Sequence, residues 1–258
     1  MFILMASILI STVSVGTDQP GELTVFCASS LTGAFEVIGK MYENASGDHV
    51  VFNFDGTQVL RTQFENGAYA DIFVSANINH MNALEAEGYL NNSSVSIFTK
   101  NKLALIVPKA NPGKIHNLTD LTRPGIKIVV GTKDVPVGNY TLQILEKLAK
   151  DPAFGPEYEQ KVLSNVVSQE TNVNYVVAKV ALGEADAGFA YRSDVTTELA
   201  NKVDRIDIPD EYNVIANYAV GITKQSRYPS LAEEFIMLVK SPQGNTVLKK
   251  FGFDPVSK

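Results

Sequence analysis

Apolar positions along this chain change their period again and again. Leu23 to Ala28 alternates and is rich in strand formers, and then Leu31, Ala34, Phe35, Ile38 and Met41 recur at helical spacing. The switch repeats at Val50–Phe54, followed by Leu60 and Phe64, and at Ala70–Ala76, followed by Met81 and Leu84. Further on, the strand Lys127–Thr132 leads into Leu142, Leu145 and Leu148, and the strand Val162–Ser168 into Val173, Val176, Val177 and Val180. Lys102–Lys109, Ala187–Tyr191 and Tyr218–Thr223 read as further strands, and the chain closes on helical stretches at Leu231–Val239 and Gly244–Lys250. Gly67, Gly88 and Gly183 stand where helices end. Strands alternating with helices predict an α/β fold on a parallel sheet. Two such arrays, before and after about residue 100, predict two lobes, with the segment after Tyr218 returning to the first.

Four of these strand-to-helix turns share a chemistry. Helices starting near Ser30, Thr57, Val137 and Val173 would gather at the carboxyl edge of the sheet, where ligands of such folds bind. A helix start carries unpaired N–H groups and the positive end of a dipole, which suits an anion. Ser30 and Thr57 add hydroxyls, Val137 and Val173 offer amides only, and Tyr191 at a strand end offers a phenol. Each has an ordinary structural explanation as well. Ser29, Ser30 and Thr57 are residue types that cap helices, the valines suit any apolar helix start, and Tyr191 suits a core. Asp55, next to Thr57, is awkward beside an anion and is expected to point outward or to cap its helix.

Composition narrows the choice. The 258 residues carry 22 Lys and Arg against 28 Asp and Glu, a net charge of −6, so there is no basic footprint for nucleic acid. An anionic ligand would have to be held by local dipoles rather than by the global field. The single cysteine, Cys27, falls inside the first strand and reads as core. His49, His80 and His116 show no ligand spacing, so no metal site is expected. No Gly-x-Ser-x-Gly, Walker or His-Glu-x-x-His motif is present. Residues 1–16 are uncharged and largely apolar, as in a secretory signal, although no Lys or Arg precedes Lys40; residues 17–21 read as a linker. Asn-x-Ser/Thr triplets at Asn44, Asn91, Asn92, Asn117 and Asn139 carry little weight.

The order of motifs adds a resemblance. VFCASSLTGAFE, FDGTQVLRTQFENGAYADIFVSAN, DVPVGNY, ADAGFAYRSD and the late FGF together resemble the molybdate/tungstate-binding proteins of ABC transporters, the ModA-type periplasmic binding proteins, from Leu23 to Pro255. The resemblance implies a class II periplasmic binding protein fold. Residues 22–98 and 217–258 would form one lobe, residues 99–216 the other, with a hinge between them. It implies a molybdate or tungstate oxyanion held between the lobes by Ser30, Thr57, Val137, Val173 and Tyr191, with no cofactor and no metal coordinated directly by side chains. The protein would work outside the cytoplasm as a monomer, deliver its ion to a membrane permease and catalyse no reaction. Thr57 stands where the family usually has serine, and Val137 where it usually has alanine. Carboxylates that complete six-coordination in some relatives have no clear counterpart here, since Ala190 is not acidic. A sulfate or phosphate receptor of the same architecture is the nearest alternative. An exported hydrolase using Ser29 or Ser30 and a cytoplasmic sensor domain are further ones.

Overall fold

The computed structural model describes residues 20–195 and 199–256. The signal-like segment 1–16 and residues 17–19 of the linker lie outside the described residues. Glu22–Ala28 (β1) pairs in parallel with His49–Asp55 (β2) and with Ile72–Ser75 (β3). Between these strands run helices α1 (Thr32–Ser46), α2 (Thr57–Glu65) and, after β3, α3 (Ile78–Ala86). α1 buries Ala34, Phe35 and Ile38 of the helical stripe seen in the sequence, and Tyr42 next to them, whereas Met41 is half-buried. The ring of Phe35 meets Phe52 and Phe98 edge-on, at centroid distances of 6.2 and 5.9 Å. Such pairs add to plain area burial and lock the helix in one rotation.

The second lobe repeats the scheme. Ile128–Gly131 (β5) lies parallel to Val166–Glu170 (β6) and Ala187–Tyr191 (β7), flanked by α4 (Pro136–Lys150), α5 (Tyr158–Ser164) and α6 (Val173–Ala181). Here one strand differs from expectation. Val162 and Ser164 belong to α5, and β6 starts only at Val166. Tyr158 and Val162, one helical turn apart, are both buried, and the Tyr158 hydroxyl donates to Leu118 O at 2.6 Å. That anchor favours helix where local composition suggested strand.

The sheet is mixed rather than parallel. Two long strands, Ser96–Pro108 (β4) and Ile215–Ile222 (β9), run antiparallel to each other and tie the lobes together. β9 pairs antiparallel with β3, and β4 with β7, with Val203–Asp207 (β8) and with Asp254–Pro255 (β10). The sequence pattern had missed β8 and the first half of β4. The closing helices are Pro229–Lys240 (α7) and Pro242–Lys250 (α8).

β4 is continuous, but its partners change along it. Ser96–Lys102 pairs with β9, whereas Ala104–Pro108 pairs with β8 on that side. At the change-over, Leu103 is served by a side chain: its N–H donates to Asn213 Oδ1 at 3.1 Å, and its carbonyl accepts from Asn213 Nδ2 at 2.8 Å. Buried Asn101 sits beside this crossing, with its Oδ1 accepting the N–H of Lys102 at 2.9 Å. Among the described residues no helix is long and apolar enough to cross a membrane.

Candidate functional site

The five residues singled out in the sequence line one small cavity between the lobes. Ser30 and Thr57 come from the β1–α1 and β2–α2 turns, Val137 and Val173 from the first turns of α4 and α6, and Tyr191 from the end of β7. Thr57, Val137, Val173 and Tyr191 are buried and Ser30 is half-buried. About 20 Å³ is open to the centre of a water-sized sphere. That is room for one compact ion rather than for a sugar or an amino acid.

The capping explanation for the hydroxyls does not hold. A 3-10 turn, Ser29–Leu31, precedes α1, and neither helix end takes a side-chain cap there. The Ser30 hydroxyl instead meets the Tyr218 hydroxyl of β9 at 2.9 Å. Gly56, not Thr57, is the N-cap of α2, and Thr57 Oγ1 accepts the N–H of Ala76 at 3.1 Å. Its own proton is thereby left for the cavity. Val137 and Val173 lie in helical first turns, where N–H groups have no intrahelical carbonyl. Pro136 begins α4 at no cost, since its missing N–H would be an orphan anyway. Gly138 lets that helix seat tightly: a Cβ there would fall 2.0 Å from Thr132 O.

Tyr191 is read correctly as buried, but not as plain core. Its hydroxyl is enclosed and finds no hydrogen-bond partner among the described residues, a costly condition for a polar group. Its ring meets Tyr218 edge-on at 5.8 Å. Burial pushes the phenols of Tyr191 and Tyr218 well above their ordinary range, so both are protonated donors at neutral pH. Asp194, behind Tyr191, accepts that residue's N–H at 2.8 Å, and burial pushes its carboxyl up to about 8. It is therefore mostly uncharged at neutral pH.

Asp55 does not do what the sequence suggested. It neither points to solvent nor caps α2; it lines the cavity, and its Oδ1 accepts from Gly56 N at 2.7 Å and from Asn172 Nδ2 at 2.9 Å. Asn172 also caps α6, accepting Tyr175 N–H at 3.3 Å, so one side chain ties a helix start to the opposite lobe. Two weaker ties accompany it: Tyr140 OH to Ala76 O at 3.3 Å, and Asn174 Nδ2 to Ser29 O at 3.4 Å. At the rim, Gly56 lies so close to the Thr171 carbonyl that a Cβ would approach it to 2.2 Å. Among the described residues no Lys, Arg or His lines the cavity. No cluster of three or more His, Cys, Asp or Glu suited to a metal ion occurs among the described residues.

The family model described as bacterial extracellular solute-binding protein matches residues 23–254, almost the whole described chain. The chain belongs to this family. Among similar solute-binding proteins is the molybdate-binding protein ModA of Mycobacterium tuberculosis, 34% identical over 238 residues, covering 92% of this chain and 86% of the relative. The structure of the periplasmic molybdate-binding protein of Azotobacter vinelandii matches with a TM-score of 0.78 at 23% identity, covering 92% of this chain and all of that one. The sulfate-binding protein SubI of M. tuberculosis matches at 0.80 with 15% identity, over 92% and 88% of the two chains. At those identities both structures speak for the fold alone. The two-lobed α/β architecture inferred from the resemblance is thus borne out, and the family description implies a place outside the cytoplasm.

Tyr218, Asp194 and Asn101 were not foreseen. Tyr218 looked like any strand aromatic. Only the fold brings it to Ser30, 188 positions away.

Proposed function

We propose that this solute-binding protein captures molybdate or tungstate between its lobes and hands it to a membrane permease. The observation that carries this reading is the meeting of five neutral donors around one ion-sized, cation-free cavity. Hydrogen bonds to a charged acceptor are about twice as strong as neutral ones, and helix starts add local positive character without a counter-charge. Ser30 and Thr57 donate through hydroxyl and backbone, Val137 and Val173 through backbone N–H, and Tyr191 through its phenol. The M. tuberculosis relative is named for molybdate binding, which favours that ion over sulfate.

The lobes are taken as residues 22–98 with 217–258, and 99–216. Donors on both lobes are satisfied by one anion only when the cleft is shut, so capture and closure are one event. The shut form, a monomer, presents its rim to the permease, and residues 1–16 direct export. A cage sized for molybdate leaves donors poorly paired around the smaller sulfate, and each unpaired buried group costs about 1–3 kcal/mol.

Calorimetric titration of the mature chain with molybdate, tungstate, sulfate and phosphate tests the reading. Tight one-to-one binding of the first two, with sulfate much weaker, is expected. Binding of sulfate or phosphate alone would keep the architecture and reassign the ion. Binding of none would remove the function.

A further inference from the structure

The Ser30 hydroxyl is not free to orient itself. It shares its hydrogen bond with Tyr218, which is fully buried on β9. The direction of that bond follows from what else each hydroxyl can reach. Among the described residues the buried Tyr218 hydroxyl has Ser30 as its one hydrogen-bond partner, and the nearby Tyr191 hydroxyl makes no hydrogen bond. If Ser30 were the donor, the phenolic proton would be left unpaired in the core, a costly condition. The phenolic proton therefore goes to Ser30 Oγ. Ser30 Oγ, having accepted, turns its own proton to the cavity it lines.

We propose that Tyr218 is a positioning and specificity residue: it relays its own donor through Ser30, so that Ser30 shows the ligand a proton and never a lone pair. The inference rests on the oxyanion reading above and deepens it. Thr57 reaches the same end by another route, since the Ala76 N–H occupies its oxygen. With both hydroxyls held as donors, and Asp55 Oδ1 already occupied by Gly56 N and Asn172 Nδ2, a fully deprotonated oxyanion meets a proton at each hydroxyl. An anion that carries a proton, such as hydrogen phosphate, meets no acceptor on either hydroxyl. Chains of hydrogen bonds also strengthen one another.

The test is a double-mutant cycle of Tyr218→Phe and Ser30→Ala on the full mature protein, with molybdate and inorganic phosphate titrated calorimetrically. Tyr218→Phe keeps the ring and its contacts, and thermal unfolding without ligand checks that the fold is intact. Expected is a loss of about tenfold in molybdate affinity, the scale of one hydrogen bond to a charged group. In the Ser30→Ala background the same change is expected to have almost no effect. The ratio of molybdate to phosphate affinity is expected to narrow in Tyr218→Phe, because a released Ser30 can accept the phosphate proton. A mere packing role predicts equal losses in both backgrounds and an unchanged ratio, and that result would overturn the relay. So would full molybdate affinity in Tyr218→Phe. If the wild-type protein binds sulfate rather than molybdate, the cycle is run with sulfate, and the relay stands or falls apart from the choice of ion. If the wild type binds no oxyanion, the proposed function and the relay fail together.

Discussion

Replacing Gly56 by alanine is a sharp test of whether the rim contact between the lobes belongs to the bound state. A Cβ at this position would lie 2.2 Å from the Thr171 carbonyl oxygen, where real contacts stay beyond 3.0 Å. The two rims must therefore separate by about 0.8 Å, the difference between those distances. Both partners are backbone, so no side chain can swing aside. Overpacking of this kind costs about 1–3 kcal/mol, and here the cost falls on the closed arrangement alone. Because 1.4 kcal/mol is a factor of ten in affinity, Gly56→Ala should weaken molybdate binding about 5- to 150-fold. The backbone at Gly56 has φ −59, so alanine brings no strain of its own to the lobe. Calorimetry gives the affinity, and thermal unfolding without ligand gives the stability of the separate lobes. Weaker binding with an unchanged unfolding midpoint is expected. Affinity within twofold of the wild type would refute the reasoning. An unfolding midpoint lowered in step with affinity would show that the contact belongs to the unliganded fold as well.

Other substitutions probe the donors one at a time. Val173→Pro deletes a single N–H at the first position of α6, where proline is tolerated and the preceding Asn172 is already extended; helix content by circular dichroism should hold while oxyanion affinity falls at least about tenfold. Tyr191→Phe removes the enclosed, unpartnered hydroxyl, so it should cost affinity yet leave the ligand-free protein as stable or slightly more so, a split that urea unfolding and titration together would reveal. Asp194 gives a pH signature. Its carboxyl sits at about 8 against an ordinary 3.8, so the native state keeps a proton the unfolded chain gives up, and this group's contribution to unfolding free energy falls as pH rises from about 4 to about 8. Asp194→Asn should flatten that part of the profile in urea titrations at several pH values; parallel profiles for the two proteins would count against it.

The sequence showed the element order well, because each strand and helix was signalled by its own period. Val173, Val176, Val177 and Val180 make the point: their spacing shows one buried helical face, and all four are buried in α6. β8 was missed since three of its five residues, Asp204, Arg205 and Asp207, are charged, and only its pairing with β4 makes it a strand. The α5 error came from reading Val162-Leu163 without the distant anchor of Tyr158 on Leu118. In the site, the helix starts could be found from local pattern, and the resemblance selected the five donors. What could not be read was the layer behind them. The Ser30–Tyr218 and Asp55–Asn172 bonds join residues 188 and 117 positions apart, and no local spacing carries such pairs.

The side chain of Asn213 at the β4 crossing has a mechanical meaning. Along most of β4 a neighbouring strand holds the backbone through a ladder of bonds that resists twisting as a unit. At Leu103 one edge is held by a single carboxamide that gives and takes one bond each. A carboxamide has its own rotatable torsions, so it can follow the peptide as it turns and keep both bonds made. Such a joint would act as a bearing, letting the strand twist at one residue without fraying the ladders on either side. On the proposed function, opening the cleft would then break only the ties across the mouth, and the work needed to release the cargo would be decoupled from the stability of the lobes that carried it.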